Sequence, residues 1–444
     1  MKLSYRRGVF LLVAGLVAGG CQLTKPSPKV SAPVAPVHYT PARDGLPTIR
    51  LWKSQIAFGD INGDGFPDLG AVSRLADGPW IWAGDGKGQW TDASAGLPRE
   101  SFCGGGMRFG DVNNDGKMDV AIADHCRGVF VYLGDGTGHW TNSSGGLPTI
   151  GSEDVALGDF NHDGCLDLVI VASSDEGLRV FNGNCKGTWK DSSGTGLPHS
   201  EWGNSVTAAD IDGDGNLDIV AAYAAGPRVW LGDGKGNWRE ASEGLPAPEI
   251  HGLYWGIAVG DVNGDGKLDI ASGAALPGAE VFIQESGPNG LRWRKASEGI
   301  VPMNALGVAL GDLNNDGKLD LVAVGKTNLE EIGGVYGVFP FLGDGTGNWK
   351  LIDNTGLPTT GRERTWGVGL ADINRDGILD IGVAFGDVLS PKWRSGSVQK
   401  ATAAAKQKGK EGKEAKSAPK EKPKPPERGM FGAIEVWRGE ITGR

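Results

Sequence analysis

The stretch that decides the fold is Asp60-Ile61-Asn62-Gly63-Asp64-Gly65-Phe66-Pro67-Asp68. It carries acid or amide side chains at its first, third, fifth and ninth positions, and glycine at its sixth. The same pattern returns at intervals of 51, 48, 51, 51, 51 and 60 residues, starting at Asp111, Asp159, Asp210, Asp261, Asp312 and Asp372. A segment that recurs at nearly constant spacing indicates a repeat architecture, here with seven units.

Each repeat contains signals for four short strands. In the second repeat, Phe109 precedes the acidic segment, and the apolar runs Val120–Ala123 and Val129–Tyr132 follow it. A glycine-rich turn then leads to Trp140, whose equivalents are Trp90, Trp189, Trp238 and Trp349. Gly-Leu-Pro or a related tripeptide ends most repeats. Four strands per unit of about 50 residues, repeated radially, are typical of a β-propeller.

The two ends of the chain complement each other. The C-terminal run Ile434–Gly439 provides a third strand without a fourth, and residues 38–47 precede the first acidic segment without a blade of their own. Excluding residues 1–44 and an insert at 388–428 leaves 359 residues, about 51 for each of seven blades. We therefore expect an all-β protein, a seven-bladed β-propeller of four-stranded blades, with the last blade closed by the N-terminal strand.

Composition narrows the functional classes. Glycine accounts for 75 of 444 residues, which suits many tight turns, and 15 tryptophans with 39% hydrophobic residues argue against a disordered chain. The formal net charge is −10. No general basic surface is available, so no nucleic-acid partner is expected.

The acidic segments predict calcium sites. Their side-chain oxygens, with a backbone carbonyl at the seventh position, form the kind of cage that a hard divalent cation prefers. The alternative is that the Asp and Asn residues only shape turns. The predicted ligands are Asp60, Asn62, Asp64, Asp68, Asp111, Asn113, Asp115, Asp119, Asp159, Asn161, Asp163, Asp167, Asp210, Asp212, Asp214, Asp218, Asp261, Asn263, Asp265, Asp269, Asp312, Asn314, Asp316, Asp320, Asp372, Asn374, Asp376 and Asp380.

Electrostatics favours the metal interpretation. Carboxylates crowded about 4–5 Å apart repel one another by roughly 1 kcal/mol per pair even in water. Up to seven Ca²⁺ ions would add +14 and turn the formal charge of −10 into +4. Because no segment is marked as catalytic, we expect calcium to be structural.

The acidic segments resemble those of FG-GAP/VCBS-type repeats, which are shared with the propellers of integrin α-subunits. The resemblance covers residues 50–441 and includes Phe58-Gly59 and Phe109-Gly110 from the family signature. It implies a calcium-stabilised seven-bladed propeller. Bacterial proteins similar to this one serve adhesion, glycan binding and sometimes polysaccharide cleavage, so the resemblance leaves the ligand open.

The N-terminus carries an export signal. Lys2, Arg6 and Arg7 precede an apolar run too short to span a bilayer, and Ala18-Gly19-Gly20-Cys21 resembles a bacterial lipobox. We expect residues 1–21 to be a signal peptide, Cys21 to be lipidated, residues 22–40 to be a tether and residues 41–444 to be the propeller. The resemblance implies a lipid-anchored envelope protein, at the outer membrane in a Gram-negative cell. An ordinary signal peptide with a chance cysteine is the alternative.

The remaining four cysteines fit an exported protein. Cys103 and Cys126 lie equidistant from the centre of the second acidic segment, and Cys165 and Cys185 fall in two turns on the same side of one blade. We expect disulfides Cys103–Cys126 and Cys165–Cys185, with free buried thiols as the alternative.

The connections on the side opposite the acidic segments are rich in aromatic and polar residues, which suit sugars or peptides. The candidate ligand-binding residues are Trp52, Trp202, Tyr254, Trp255, Trp366, His199, His251, Arg362 and Arg364, accompanied by Glu201, Glu249 and Glu363. The alternative is that these tryptophans only pack around the channel. The five repeated tryptophans, in strict register, are expected between blades.

The insert 388–428 contains 12 Lys/Arg and four Glu residues and lies between the second and third strands of the last blade. It would emerge on the same side, either as a solvated loop or as an arm that contacts anionic polysaccharide, lipid head groups or an acidic partner.

The sequence thus predicts a binding or adhesion module for a glycan or an envelope protein. The alternatives are a polysaccharide-acting enzyme, with His199–Glu201 or His251–Tyr254 as acid–base pairs, and a scaffold subunit of an envelope complex. No catalytic residue is assigned.

Overall fold

A computed structural model describes residues 37–75, 77–173, 176–246, 253–288, 290–327, 336–359, 364–389 and 429–441. The signal peptide, most of the predicted tether and most of the insert lie outside these ranges. The described residues form strands and turns, and a helix with the length and apolar character of a membrane span does not occur among them.

The described strands form seven antiparallel sheets of four strands, arranged as the blades of a propeller. Blade 1 contains β2 (Leu51–Trp52) and β3 (Ala57–Gly59), which together replace one inner strand, then β4 (Asp68–Arg74), β5 (Pro79–Gly84) and β6 (Trp90–Asp92). Blade 2 contains β7 (Met107–Gly110), β8 (Asp119–Asp124), β9 (Gly128–Gly134) and β10 (Trp140–Asn142). Blade 3 contains β11 (Ser152–Gly158), β12 (Asp167–Ala172), β13 (Leu178–Gly183) and β14 (Trp189–Asp191).

The next three blades repeat this order. Blade 4 contains β15 (Gly203–Ala209), β16 (Asp218–Tyr223), β17 (Gly226–Gly232) and β18 (Trp238–Glu240). Blade 5 contains β19 (Tyr254–Gly260), β20 (Asp269–Ala274), β21 (Ala279–Gly287) and β22 (Gly290–Lys295). Blade 6 contains β23 (Met303–Gly311), β24 (Asp320–Thr327), β25 (Tyr336–Gly343) and β26 (Trp349–Leu351).

Blade 7 joins the two ends of the chain. Its order is β27 (Thr365–Ala371), β28 (Asp380–Leu389), β29 (Gly429–Ile441) and β1 (Val37–Pro41), with β1 antiparallel to β29. The predicted fold class, including closure by the N-terminal strand, is confirmed. Strand β1 includes residues 37–40, which the sequence analysis assigned to the end of the tether.

The core lies between neighbouring blades. Val169 and Val171 of blade 3 pack in one cluster with Ile219 and Trp238 of blade 4. The repeated tryptophans are buried as predicted, and most of their indoles bond to the preceding unit around the ring: Trp90 Nε1 donates to Ala42 O at 2.8 Å. This register aligns each blade with its neighbour.

Both predicted disulfides are present, Cys103–Cys126 with Cα atoms 5.6 Å apart and Cys165–Cys185 with Cα atoms 5.0 Å apart. Cys165 lies in the acidic segment of blade 3 and Cys185 in its third-to-fourth strand turn. The second bridge therefore fixes two turns of one blade to each other.

Candidate functional site

Each acidic segment, here called acidic loop 1 to 7 in chain order, joins the first and second strands of its blade. Since the blades are similar and arranged in a ring, all these loops lie on one side of the propeller, which we call the acidic face. The connections from the second to the third strand, and from each blade to the next, lie on the opposite face.

The loop backbone points its amides at the acidic side chains. In acidic loop 1, Asp60 Oδ2 accepts a hydrogen bond from Gly65 N at 2.8 Å, and Asn62 Oδ1 accepts one from Asp64 N at 2.9 Å. Gly65 has φ of +87°, a conformation that most other residues avoid. These bonds hold the carboxylates of the first and fifth positions in a compact turn.

The ninth aspartate of each loop is fully buried and accepts hydrogen bonds from two backbone segments of its blade. Asp68 is unexposed, its Oδ2 accepts from Ile61 N at 2.8 Å, and its Oδ1 accepts from Gly84 N at 2.8 Å. It thus ties its loop to the end of the third strand. The same pair of bonds is made by Asp119, Asp167, Asp218, Asp269, Asp320 and Asp380.

Burial raises the pKa of these aspartates, although their backbone hydrogen bonds oppose the shift. The pKa of Asp68 is raised to about 6 and that of Asp320 to about 7. The negative charges at the first and fifth positions of the same loops raise it further. A nearby divalent cation would offset this unfavourable charge.

The donor set of the loops fits a hard cation. Each loop offers carboxylate oxygens at the first, fifth and ninth positions and an amide or carboxylate oxygen at the third. Acidic loop 4 has aspartate at all four positions, and oxygens of Asp210, Asp212 and Asp218 lie within 4.8 Å of one another. Burial, followed by the charge of Asp214, raises the pKa of Asp212. Metal binding by the 28 predicted ligands stays a prediction.

Side chains at the fourth loop position connect neighbouring loops, which the sequence analysis missed. Asn114 Nδ2 donates to Gly164 O at 3.0 Å, His162 Nε2 lies 2.9 Å from Asn216 Oδ1, and Asn315 Nδ2 donates to Gly377 O at 2.8 Å. Arg375 lies 5.4 Å from the ring of Phe66. All four bridging residues have positive φ. Acidic loops 1, 4 and 5 have glycine at this fourth position.

On the opposite face, one residue from each blade contributes to a shared depression. This residue lies six positions before the first aspartate of each acidic loop. These residues line one central depression: Ser54, Gly105, Glu153, Asn204, Trp255, Leu306 and Trp366. In blades 3 to 7 each is the extra residue of a β-bulge in the innermost strand. A bulge bends its strand and redirects a side chain, so one residue per blade surrounds the channel mouth.

Charged and aromatic groups meet at this mouth. Lys53 Nζ donates to Glu153 Oε2 at 2.7 Å, and His125 Nδ1 hydrogen-bonds Glu153 Oε1. Lys53 Nζ also lies 5.9 Å from the ring of Trp255 and 5.8 Å from that of Trp366, whose centroids are 6.0 Å apart.

Burial and close partners both shift the pKa values of this pair. Burial lowers the pKa of Lys53, although the charge of Glu153 opposes the shift. For Glu153, the hydrogen bond from His125 and the charge of Lys53 outweigh burial and lower its pKa. The sequence analysis missed Lys53, Glu153 and His125. The repeat spacing that relates Glu153 to Trp255 and Trp366 could have indicated Glu153.

The predicted ligand residues separate into buried and accessible groups. Trp52 is unexposed and packs edge-on against Trp82, and Tyr254 is 1% exposed with its hydroxyl donating to Glu280. These two belong to the core, because tight packing around large rings removes them from the surface. Burial, then the bond to Glu280, raises the pKa of Tyr254.

The other candidates lie at the surface or outside the described residues. Trp202, His199 and Glu201 are exposed, and Trp255, Trp366 and Arg364 are partly so, with the Arg364 guanidinium 4.2 Å from the Trp366 ring. His251, Arg362, Glu249 and Glu363 lie outside the described residues. Since Tyr254 bonds to Glu280, it is not available as an acid–base partner in the predicted pair with His251.

Large apolar side chains are exposed on the opposite face. Among the described residues those with high exposure are Ile49, Leu75, Trp202, Leu253 and Leu276, all in second-to-third strand or blade-to-blade connections. Leu75 and Leu253 also have positive φ, which is costly for leucine. Exposed apolar groups and backbone strain on one face are features of interaction surfaces.

Comparison with known families identifies the repeats. The family described as FG-GAP-like repeat matches residues 60–122, 111–170, 166–221 and 210–272. The expected FG-GAP-like repeats are confirmed in these four segments. No curated protein matches this chain.

Solved structures similar to this chain are propellers of low sequence identity. BP39L lectin from Burkholderia pseudomallei is 16% identical, with 76% of this chain and 93% of that chain covered and a TM-score of 0.49. A lectin of Agrocybe aegerita, described for recognition of non-reducing terminal N-acetylglucosamine, is 17% identical over 71% of this chain and 84% of that chain, with a TM-score of 0.41. The V. cholerae biofilm matrix protein Bap1 is 13% identical over 76% of this chain and 45% of that chain, with a TM-score of 0.37.

Proposed function

Because this chain carries FG-GAP-like repeats in a seven-bladed β-propeller, we propose that it is a binding module for a macromolecular ligand, a glycan or a protein, recognised by the face opposite its acidic loops. The observation that carries the proposal is the placement of accessible aromatic and apolar side chains. Trp202, Trp255 and Trp366, and the exposed leucines and isoleucine, all lie on that face.

The channel mouth provides the polar part of this surface. Glu153 is 5% exposed and is held by Lys53 and His125, so its position is fixed before any ligand arrives. The two adjacent indoles are partly exposed and meet edge to face. A rigid polar centre flanked by aromatic rings offers specificity with little loss of side-chain entropy on binding.

We further propose that calcium, up to seven ions, binds the acidic loops and stiffens the ring. The compact carboxylate turns and the unfavourable charge on the buried ninth aspartates support this role. In this scheme the ion is structural, and the ligand binds on the other face.

The proposed location is the cell envelope, with the chain anchored through lipidated Cys21 and either periplasmic or surface-exposed. The export signal and lipobox-like sequence support it. Leu389 of β28 pairs with Gly429 of β29 at the end of both strands on the opposite face, and we propose that the basic insert between these residues assists contact with an anionic ligand.

A binding array of glycans and envelope proteins, probed with calcium present, tests the function. Trp255→Ala and Trp366→Ala should each weaken retention of the identified ligand about tenfold, since buried aromatic contacts dominate binding energy. His139→Ala, which removes an exposed ring from the acidic face, is the matched control and should bind normally. Undiminished binding by both tryptophan variants would contradict the proposal, as would sustained cleavage of a bound glycan.

A further inference from the structure

A second concavity lies on the opposite face, beside blade 4. It is a groove of about 650 Å³, within the usual range for ligand sites. We call it the Trp202 groove. Its lining includes Glu201, Trp202, Tyr223, Arg228 and Glu240. None of the channel-mouth residues described above takes part in this lining.

Tyr223 provides the first sign that the groove is built for a ligand. Its side chain is 2% exposed, and its hydroxyl has no hydrogen-bond partner among the described residues. The ring is fixed edge-on against Trp230, with centroids 5.8 Å apart. Buried tyrosine hydroxyls usually find a partner, so this lining residue carries hydrogen-bonding capacity that the described residues do not use.

Trp202 provides the second sign. It is 49% exposed, although tryptophan is usually well covered, and its ring is supported by His125 at a centroid distance of 5.5 Å. His125 also holds Glu153, so this indole stands beside the channel mouth. An exposed indole packed against an imidazole offers a flat apolar platform.

Arg228 is held in place within the groove. Arg228 Nη1 donates to Pro227 O and to Pro246 O, each at 2.8 Å, and Arg228 Nε lies 3.8 Å from Glu240 Oε1. Glu201 is exposed at the rim. The groove therefore combines one apolar platform, an anchored cationic donor, two exposed carboxylates and partly compensated charge.

We infer that the Trp202 groove binds a neutral saccharide unit. The apolar C–H face of a pyranose ring stacks on Trp202, and its hydroxyls donate to Glu201 and Glu240 and accept from Tyr223 and Arg228. A quaternary or lysine-type cation fits less well, because Arg228 shares the groove and the rings of Tyr223 and Trp230 are buried. This inference rests on the proposed function and names its ligand class and one of its subsites.

Titration of the calcium-loaded full-length protein with a panel of neutral hexose and N-acetylhexosamine oligosaccharides tests the inference, with tetramethylammonium as the cationic probe. A member of the panel should bind. Trp202→Ala should weaken that binding at least about tenfold, and Tyr223→Phe, which keeps the ring, about fivefold. His139→Ala removes an exposed side chain from the acidic face, away from the proposed binding surface, and should leave the affinity unchanged.

The possible outcomes distinguish failure of the groove inference from failure of the proposed function. Saccharide binding that is lost in Trp255→Ala but unchanged in Trp202→Ala and Tyr223→Phe overturns the groove and leaves the proposed function standing. Preference for tetramethylammonium also overturns the groove inference and leaves the proposed function standing. So does capture of an envelope protein without any saccharide binding. Failure of every ligand class on the array contradicts both proposals.

Discussion

The ninth aspartate of each acidic loop stabilises the fold through its own two oxygens. Asp320 is unexposed and accepts from Leu313 N and Gly343 N, both at 2.9 Å. Asp316, at the fifth position of the same loop, is exposed, and its Oδ1 accepts from Lys318 N at 3.0 Å. An asparagine keeps one such acceptor but replaces the other with a donor.

We predict that Asp320→Asn destabilises the protein by about 2–3 kcal/mol with or without calcium, because its amide donor must face a buried backbone N–H. Asp316→Asn should lower the midpoint of thermal unfolding more in calcium than in chelator. Its Oδ1 bond survives and the bond from Asn314 Nδ2 to Oδ2 is lost in both buffers, whereas the lost charge of the cage matters only when calcium is bound. Thermal unfolding of both variants in calcium and in chelator measures this. Equal losses by Asp316→Asn in both buffers would show that the fifth position has no metal role.

At the residue scale, sequence reasoning found the acidic loops but not how the loops connect. The spacing identifies Asn315 and Arg375 as equivalent positions, yet one bonds to a backbone oxygen of the next loop and the other lies against an aromatic ring. Which partner a side chain reaches depends on the distance between blades, and a sequence does not give that distance. For the same reason Trp52 and Tyr254 were expected at the surface and are buried.

At the level of strands and turns, the Gly-Leu-Pro segments fix the spacing between blades. Gly146 has φ of +93°, and a Cβ there would lie 2.1 Å from the backbone oxygen of Trp189 in the next blade. Its neighbour Gly145 has open space around the same position. Trp189 N donates to Gly145 O at 3.1 Å, so these two backbone segments of neighbouring blades are in contact here.

Gly146→Ala should therefore destabilise the propeller by about 2–4 kcal/mol, through the left-handed backbone and the clash. Gly145→Ala is a neighbouring control and should stay within about 0.5 kcal/mol of the parent protein. Denaturant unfolding gives both values. Similar stability of the two variants would show that blades 2 and 3 do not rely on this contact.

Strand order was predictable because the acidic segment recurs seven times and the strand signals around it recur in most repeats. The bulges were not. In blade 5, Trp255 is an extra residue between paired positions Tyr254 and Gly256, and nothing in the local alternation of apolar residues marks it. A bulge is decided by how the innermost strand curves around the channel. The split of the first inner strand into β2 and β3 was missed for the same reason.

At the scale of the whole molecule, the ring is closed by non-covalent pairing. Strand β1 pairs with β29 over five positions from Val37 to Pro41, and Tyr39 N also donates to Thr355 O of the neighbouring blade at 2.6 Å. Closure was predictable from the missing fourth strand. It leaves the seven blades dependent on one another, so a change on the acidic face affects the stability of all of them.

Removal of calcium should therefore lower the unfolding temperature of the entire propeller in a single transition. With free calcium tenfold above Kd, each loop contributes about 1.4 kcal/mol, or about 10 kcal/mol for seven loops. For a domain of this size that corresponds to a shift of about 10 °C. Scanning calorimetry in excess calcium and in excess chelator, with elemental analysis of the bound ion, provides the measurement.

Magnesium is the matched control for this experiment. It prefers octahedral coordination at shorter distances and keeps several of its waters, so the wide carboxylate turns should respond to it weakly. Calcium should restore the unfolding temperature after chelation and magnesium should not. If the protein dialysed against calcium contains no bound ion and its unfolding temperature is the same in chelator, the loops are turns that hold themselves together by hydrogen bonds such as that from Gly65 N to Asp60 Oδ2. The ring would then be stabilised by the contacts between blades alone.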